Sequence, residues 1–184
     1  MASPVELWHA EHRDFERLLE LVGAEIKVFR DGGTPDYELM RDIVRYLRHF
    51  PDRHHHPRED IAFARLASRD PAIGELAHEL QQEHRVIGTA GDAMLKCLDE
   101  IAGDALVPRA ALEAAAATYL VYYRKHIERE EADILPVAAR LLTQEDWDAV
   151  AAARPAGPDP LFGPEAALRF RELRRLISLE TREA

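Results

Sequence analysis

Apolar residues recur along the chain in alternating steps of four and three, the spacing that places them on one face of an α-helix. Four long stretches show this pattern, and short loops separate them. The first stretch has these positions on one face: Trp8, His12, Phe15, Leu19, Val22, Ile26 and Phe29. Because short loops make consecutive helices antiparallel, the pattern predicts an all-α, up-down-up-down four-helix bundle.

The other three stretches repeat the spacing, and no stretch alternates as a strand would. The second runs from Met40 to Leu66, the third from Ile73 to Ile101 and the fourth from Leu112 to Leu141. Pro51 and Pro57 interrupt the second stretch, and we expect a kink there because proline cannot donate a helical hydrogen bond.

The character of the chain changes after the fourth stretch. Thr143 to Asp146 resembles a capping box for a short helix. Residues 154–164 are rich in proline and glycine, and residues 165–180 again favour a helix, with an apolar face at Leu168, Leu173 and Ile177. We therefore expect residues 1–142 to form the bundle. Residues 143–184 are expected to be a helical extension that packs on the bundle, binds a protein partner or mediates self-association.

Composition narrows the range of partners. The chain has 184 residues, which suits one domain, and a net charge of −10. An acidic surface argues against nucleic acid and against an anionic membrane as the main partner. Cys97 is the single cysteine, the N-terminus shows no signal peptide, and the apolar runs are too short to span a bilayer. We expect a cytoplasmic protein.

Histidines occur at positions that the apolar pattern predicts to be buried. His12, His84 and His126 lie on the apolar faces of three different stretches, and the remaining stretch brings His55 and His56 to a matching depth. A buried polar group without a partner is costly. A ligand shared by these side chains explains all of them together.

Two carboxylates strengthen this interpretation. Glu59 and Glu130 each follow a histidine by four residues, which stacks the two side chains on one helical face. A buried carboxylate requires a cation. Imidazoles and carboxylates inside a helical bundle suit two iron or manganese ions better than structural zinc, which prefers four ligands and often uses cysteine. Glu128 and Glu131 fall outside the apolar face, and we expect solvent around them.

The two segments that carry these pairs resemble each other. Residues 55–63 and residues 126–136 both contain a histidine, a glutamate four positions later and then apolar residues. The bundle is therefore interpreted as two similar helical hairpins.

The same motifs resemble the hemerythrin HHE cation-binding family over about residues 5–142. The matching segments, one for each helix, are Glu11-His12-Arg13-Asp14-Phe15, His55-His56-Pro57-Arg58-Glu59-Asp60, Glu83-His84 and His126-Ile127-Glu128-Arg129-Glu130-Glu131. The resemblance implies two non-haem iron ions with an oxo or hydroxo bridge. It implies that His12 and His55 bind one iron, that His84 and His126 bind the other, and that Glu59 and Glu130 bridge them.

The chain departs from the oxygen-carrying members of that family at two positions. They have a second histidine four residues after the one on the third helix, where this chain has Gly88. The second iron then has one protein ligand fewer, and His56 is a candidate replacement ligand on the other iron. The carriers also place the last carboxylate five residues after the histidine, which would select Glu131 instead of Glu130. Both choices, His55 or His56 and Glu130 or Glu131, stay open at the level of sequence.

The functional hypothesis is a non-haem di-iron protein that binds or reduces a small ligand such as O2, NO or H2O2. The position of Gly88 widens the open site and favours a reactive centre over a pure carrier. Tyr119, Tyr122 and Tyr123, one to two turns before His126, are candidates for controlling that site. The alternative is an iron- or oxygen-responsive sensor or interaction module without turnover, and a third interpretation is adventitious zinc binding. The sequence does not decide whether the protein is an enzyme.

Overall fold

The structure is a computed structural model that describes residues 3–154, 157–163, 170–171, 173–175 and 177. Helix α1 spans Pro4–Arg30 and begins with a capping box in which Ser3 and Glu6 satisfy each other's backbone N–H groups. It ends before Gly32, whose positive φ turns the chain into the next helix. Within the described ranges there is no strand.

The second rod of the bundle consists of two α-helices joined by a π-helical turn. Helix α2 spans Tyr37–Phe50, the π turn spans Pro51–His55, and α3 spans His56–Arg69. The prolines predict a kink here, and the structure shows a π turn at this place, closed by the bond from the His56 N–H to the Pro51 carbonyl.

The third rod is continuous, whereas the fourth repeats the interrupted design. A short 3₁₀ turn leads into α4, which spans Gly74–Ala102. Helix α5 spans Arg109–Arg129, a second π turn spans Glu130–Ile134, and α6 spans Leu135–Leu141. The four rods form the predicted all-α, hemerythrin-like bundle, with extra helical structure at the C-terminal side.

A layer of buried polar side chains divides the core into two apolar clusters. On α1, Trp8 belongs to one cluster and Phe15 to the other, and His12 lies between them. On α4, Leu80 belongs to the first of these clusters and Ile87 to the second, and the buried His84 lies between them. The apolar clusters on both sides stabilise the bundle and fix the depth of the polar layer.

The described part of the C-terminal segment packs on the bundle. Helix α7 spans Gln144–Ala153, and its Trp147 ring meets Trp8 edge-on at 5.4 Å between centroids. Further along, buried residues join the larger apolar cluster: Leu161, Phe170, Leu173 and Ile177. Of the helix predicted over residues 165–180, positions 171, 173–175 and 177 are described and helical, and Leu168 lies outside the described residues. The division of the chain at residue 142 stays a prediction.

No helix within the described ranges combines the length and the apolar character needed to span a bilayer.

Candidate metal centre

The polar layer brings together all seven side chains that the sequence nominated as metal ligands. Each of these residues is at most 9% exposed to solvent. They come from all four rods of the bundle, and three of them lie where a π turn meets an α-helix. The seven are His12, His55, His56, Glu59, His84, His126 and Glu130.

The ligand atoms fall into two groups, which we name by one histidine each. The His12 group contains His12, His55, Glu59 and Glu130. The His84 group contains His56, Glu59, His84 and His126. Within each group the potential ligand atoms lie within 4.8 Å of one another, which is the clustering expected of residues that surround a cation.

Both glutamates face both groups. Oε1 of Glu59 lies 3.0 Å from Nε2 of His55, and its Oε2 lies 3.6 Å from Nε2 of His84. Oε2 of Glu130 lies 3.3 Å from Nε2 of His12, and its Oε1 lies 3.0 Å from Nε2 of His126. Each carboxylate therefore presents one oxygen to each group, an arrangement that suits a bridge between two cations.

Many of these buried atoms have no hydrogen-bond partner. This applies to both oxygens of Glu59, both oxygens of Glu130 and the Nε2 atoms of His56, His84 and His126. Their short contacts lack hydrogen-bonding alignment, and burial without a partner is costly for such atoms. A pair of divalent cations would satisfy all of them at once, so the residues fit a two-metal centre of the iron or manganese type.

The other ring nitrogen of every histidine contacts a carboxylate. These contacts fix the ring orientation and aim Nε2 inward, as second partners of metal-binding histidines do. The five Nδ1-to-oxygen distances are 2.7 Å for His12 with Glu131, 2.5 Å for His55 with Glu11, 3.1 Å for His56 with Asp52, 2.9 Å for His84 with Asp60 and 3.0 Å for His126 with Glu83.

The electrostatics of the metal-free cluster differ from one histidine to the next. Burial lowers the pKa of His84, but the carboxylates of Asp60 and Glu130 outweigh it and raise that pKa to about 10. For His56, burial and the charges of neighbouring imidazoles act in the same direction and hold its pKa well below the usual value. His56 is therefore neutral near pH 7 and has its Nε2 lone pair available, whereas His84 must lose a proton to bind a metal.

The position of His56 corrects one expectation. The sequence suggested it as a replacement ligand on the iron of His12 and His55. The structure places it in the His84 group, where its ring stacks on His84 with 4.2 Å between centroids. His55 and His56 both enter the layer, because α3 starts at the end of the π turn and the two consecutive side chains point towards different groups. The structure therefore brings one of these two histidines to each group, and which of them binds a metal stays a prediction.

The position of Glu131 corrects another. The sequence assigned it to the solvated surface together with Glu128. Glu131 is instead about one-third exposed, and its two oxygens contact Nδ1 of His12 at 2.7 Å and Nδ1 of His9 at 2.5 Å. Glu130 occupies the buried position between the two groups, which makes Glu131 a partner of His12 on the outer side.

Sequence reasoning missed the four other outer carboxylates, although a simple pattern marks three of them. Each of those three directly adjoins a predicted ligand and contacts a histidine on another helix. Glu11 follows this pattern with His55, Glu83 with His126, and Asp60 with His84. The fourth, Asp52, lies four residues before its partner on the same rod.

The tyrosines near the layer are only partly as expected. Tyr119 and Tyr123 are buried with hydroxyls that have no hydrogen-bond partner, and Tyr122 is exposed. The Tyr123 ring lies 5.9 Å from the His56 ring. The position of Gly88 is covered by the guanidinium of Arg48, which lies 3.1 Å from where a β-carbon would be.

Taken together, the bundle and its polar layer define an all-α protein with a carboxylate- and histidine-rich cation site. The family model of the hemerythrin HHE cation binding domain matches residues 3–138. The chain belongs to the hemerythrin HHE cation-binding family. Among curated proteins, none matches the chain.

Proposed function

We propose that this protein holds two non-haem iron ions in the polar layer and uses them to bind or reduce a small ligand. His12 and His55 would bind one ion, and His56, His84 and His126 would bind the other. Glu59 and Glu130 would bridge the two ions. The observation that carries the proposal is the set of buried carboxylate oxygens and imidazole nitrogens that converge without hydrogen-bond partners.

The roles of the protein groups follow from their surroundings. When bound, an iron pair supplies two electrons and open coordination positions for O2, NO or H2O2. The outer carboxylates keep the imidazole rings oriented, and the apolar clusters above and below the layer exclude water.

A surface cleft gives the ligand a route towards the His84 group. The cleft has a volume of about 570 Å³, and His56 and His84 are among the residues that line it. Gly88 lines its wall, so a side chain that would narrow the cleft is absent at this position. The choice among O2, NO and H2O2 stays a prediction, as do iron over manganese, the oxo or hydroxo bridge and a cytoplasmic location.

Metal analysis and optical spectroscopy test the proposal. The protein is expressed with iron, purified without a tag and oxidised in air. Two irons per chain, with oxo-to-iron charge-transfer bands that disappear on dithionite reduction, are expected. Metal well below one ion per chain after anaerobic reconstitution with iron, or zinc alone, would contradict the proposal.

The second candidate function is an iron- or oxygen-responsive module that a protein partner recognises. Contacts between the bundle and the C-terminal segment favour it. The Tyr46 hydroxyl donates to Oδ2 of Asp159 at 2.7 Å, and Arg17 donates to the carbonyl of Ile177 at 2.8 Å. Fast, metal-dependent turnover of peroxide or nitric oxide would favour the first function. Metal-dependent protease protection of the C-terminal segment without turnover would favour the second.

A further inference from the structure

Arg48 crosses from α2 to α4 and lies against two glycines of that helix. A β-carbon at Gly91 would overlap the aliphatic part of the Arg48 side chain, and one at Gly88 would approach its Nη1 to 3.1 Å. Larger side chains at these two positions would therefore displace the arginine. The absence of side chains at Gly88 and Gly91 therefore leaves the space that Arg48 occupies.

The guanidinium of Arg48 is connected to the polar layer through the carboxylate of Asp52. This group pairs with Asp52 in the first π turn, and its Nε donates to Oδ1 of Asp92 at 2.9 Å. Asp52 in turn places Oδ1 3.1 Å from Nδ1 of His56. The Nε2 atom of His56 is buried without a hydrogen-bond partner in the His84 group.

Two other histidines have the same order of residues, joined there by hydrogen bonds, whereas the contacts of Asp52 are ion pairs without hydrogen-bond alignment. Arg58 donates to Glu11, which contacts His55. In the same way, Arg129 donates to Glu83, which contacts His126. An arginine that contacts a carboxylate, which contacts an imidazole, is therefore a recurring element of this centre, and Arg48 supplies it for His56.

On this basis we propose that Arg48 is the positioning residue for His56 as a metal ligand, and that the glycines at 88 and 91 are present to seat it. The missing histidine of α4 is then compensated by His56 from the second rod, which packs directly against α4. This inference rests on the proposed two-metal function. Under this inference Gly88 is more than a vacant ligand position, because its lack of a side chain leaves room for the arginine that positions another ligand, His56.

The test compares two arginines that bridge the same pair of helices. Arg45, one turn before Arg48, pairs with Asp99 of α4 at 2.5 Å and leads to no histidine. Arg48→Met and Arg45→Met are each titrated anaerobically with cobalt(II), and the visible ligand-field bands and stoichiometry are recorded. Loss of a ligand's outer partner weakens metal affinity roughly 10- to 100-fold. Because Arg48 contacts that partner, Asp52, and not His56 itself, Arg48→Met should bind the second cobalt about 10-fold more weakly, the lower end of that range, and change its spectrum. Arg45→Met should match the unmodified protein.

Two further variants are controls for a folding defect in Arg48→Met. Arg48→Lys keeps the charge and should restore part of the second-site affinity. Gly91→Ala changes no charge but places a β-carbon against the Arg48 side chain and 3.0 Å from Cε2 of Tyr119. It should reproduce the loss, and Tyr119→Phe should leave the second-site affinity unchanged.

The outcomes separate the inference from the function on which it rests. An unmodified protein that binds fewer than two cobalt ions overturns the two-metal function. Two cobalt ions in the unmodified protein, with equal affinities in Arg48→Met and Arg45→Met, overturn only the role of Arg48.

Discussion

Replacing Glu130 or Glu131 by glutamine tests which of these adjacent glutamates belongs inside the metal centre. Glu130 is fully buried and has one oxygen towards each ligand group. Glu131 is 34% exposed at its side chain and contacts the outer nitrogen of His12. Glutamine keeps the volume of either side chain and removes its charge, so the two variants differ only in where that charge is lost.

The expected effects differ by orders of magnitude. At an effective dielectric constant of about 20, two opposite unit charges 3.3 Å apart, the distance between Oε2 of Glu130 and Nε2 of His12, attract each other by about 5 kcal/mol, which sets the scale for a buried carboxylate and a bound cation. That energy is equivalent to more than three orders of magnitude in affinity, so Glu130→Gln should lose the metal pair. Glu131→Gln removes only an outer partner, which costs roughly 10- to 100-fold, and it should keep two ions with weaker binding at the His12 group.

Anaerobic titration with iron(II) or cobalt(II), followed by metal analysis after gel filtration, measures both affinity and stoichiometry. Circular dichroism of the metal-free proteins controls for folding. The assignment would be refuted if Glu131→Gln lost the pair as completely as Glu130→Gln. It would be refuted equally if Glu130→Gln kept both ions at the affinity of the unmodified protein.

Three other outcomes are expected. Metal at 1,000 times its dissociation constant should raise the free energy of unfolding by about 4 kcal/mol per site. With an unfolding entropy of about 2.1 cal/mol/K per residue for 184 residues, this corresponds to a rise in Tm of about 10 °C per site. Calorimetry with and without chelator checks it, and an unchanged Tm would contradict it. Asp146→Asn should cost about 1–2 kcal/mol at pH 7, because Asp146 caps α7 through Thr143 and pairs with Arg65. The Thr143 N–H is the main cause of an Asp146 pKa lowered to about 2. Because the Asp146 pKa is lower in the folded protein, its carboxylate stabilises the fold above the ordinary pKa near 4, and this stabilisation is lost as the pH falls to about 2. The denaturation midpoints of the two proteins should therefore converge between pH 4 and 2. A constant difference would refute this. Trp147→Ala should lower the free energy of unfolding by about 3 kcal/mol through its lost contact with Trp8 while metal stoichiometry stays at two, and loss of metal would contradict a purely structural role.

The helical periodicity was sufficient to predict the rods and the depth of the polar layer. His12 and His84 lie at the steps of four and three that also place Phe15 and Ile87 in the core. Because one turn of helix fixes which side chains share a face, the burial of His12 followed from its neighbours.

Contacts between rods could not be derived in this way. The pairing of Glu131 with His12 depends on the relative rotation of the first and fourth rods, which one helix's periodicity does not contain. The location of His56 depends on the π turn before it, and Pro51 signals an interruption without specifying that the turn widens. The role of Gly88 required knowledge of the side chain that crosses it, and Arg48 is forty residues away in the chain.

The two segments that resemble each other each contain one π turn, at opposite ends of the histidine–glutamate pair. The first ends at His55, which starts one histidine–glutamate pair, and the second begins at Glu130, which ends the other. A π turn adds one residue to a helical turn and so rotates the side chains after it relative to those before it. In the second rod this lets Phe50 and His55, five residues apart, both remain buried, and in the fourth it lets Glu130 and Leu135, also five residues apart, do the same. The wider turns therefore reconcile the spacing of the ligands with the spacing of the core. An insertion or deletion of one residue within either turn would rotate the ligands out of the layer even if every ligand were retained.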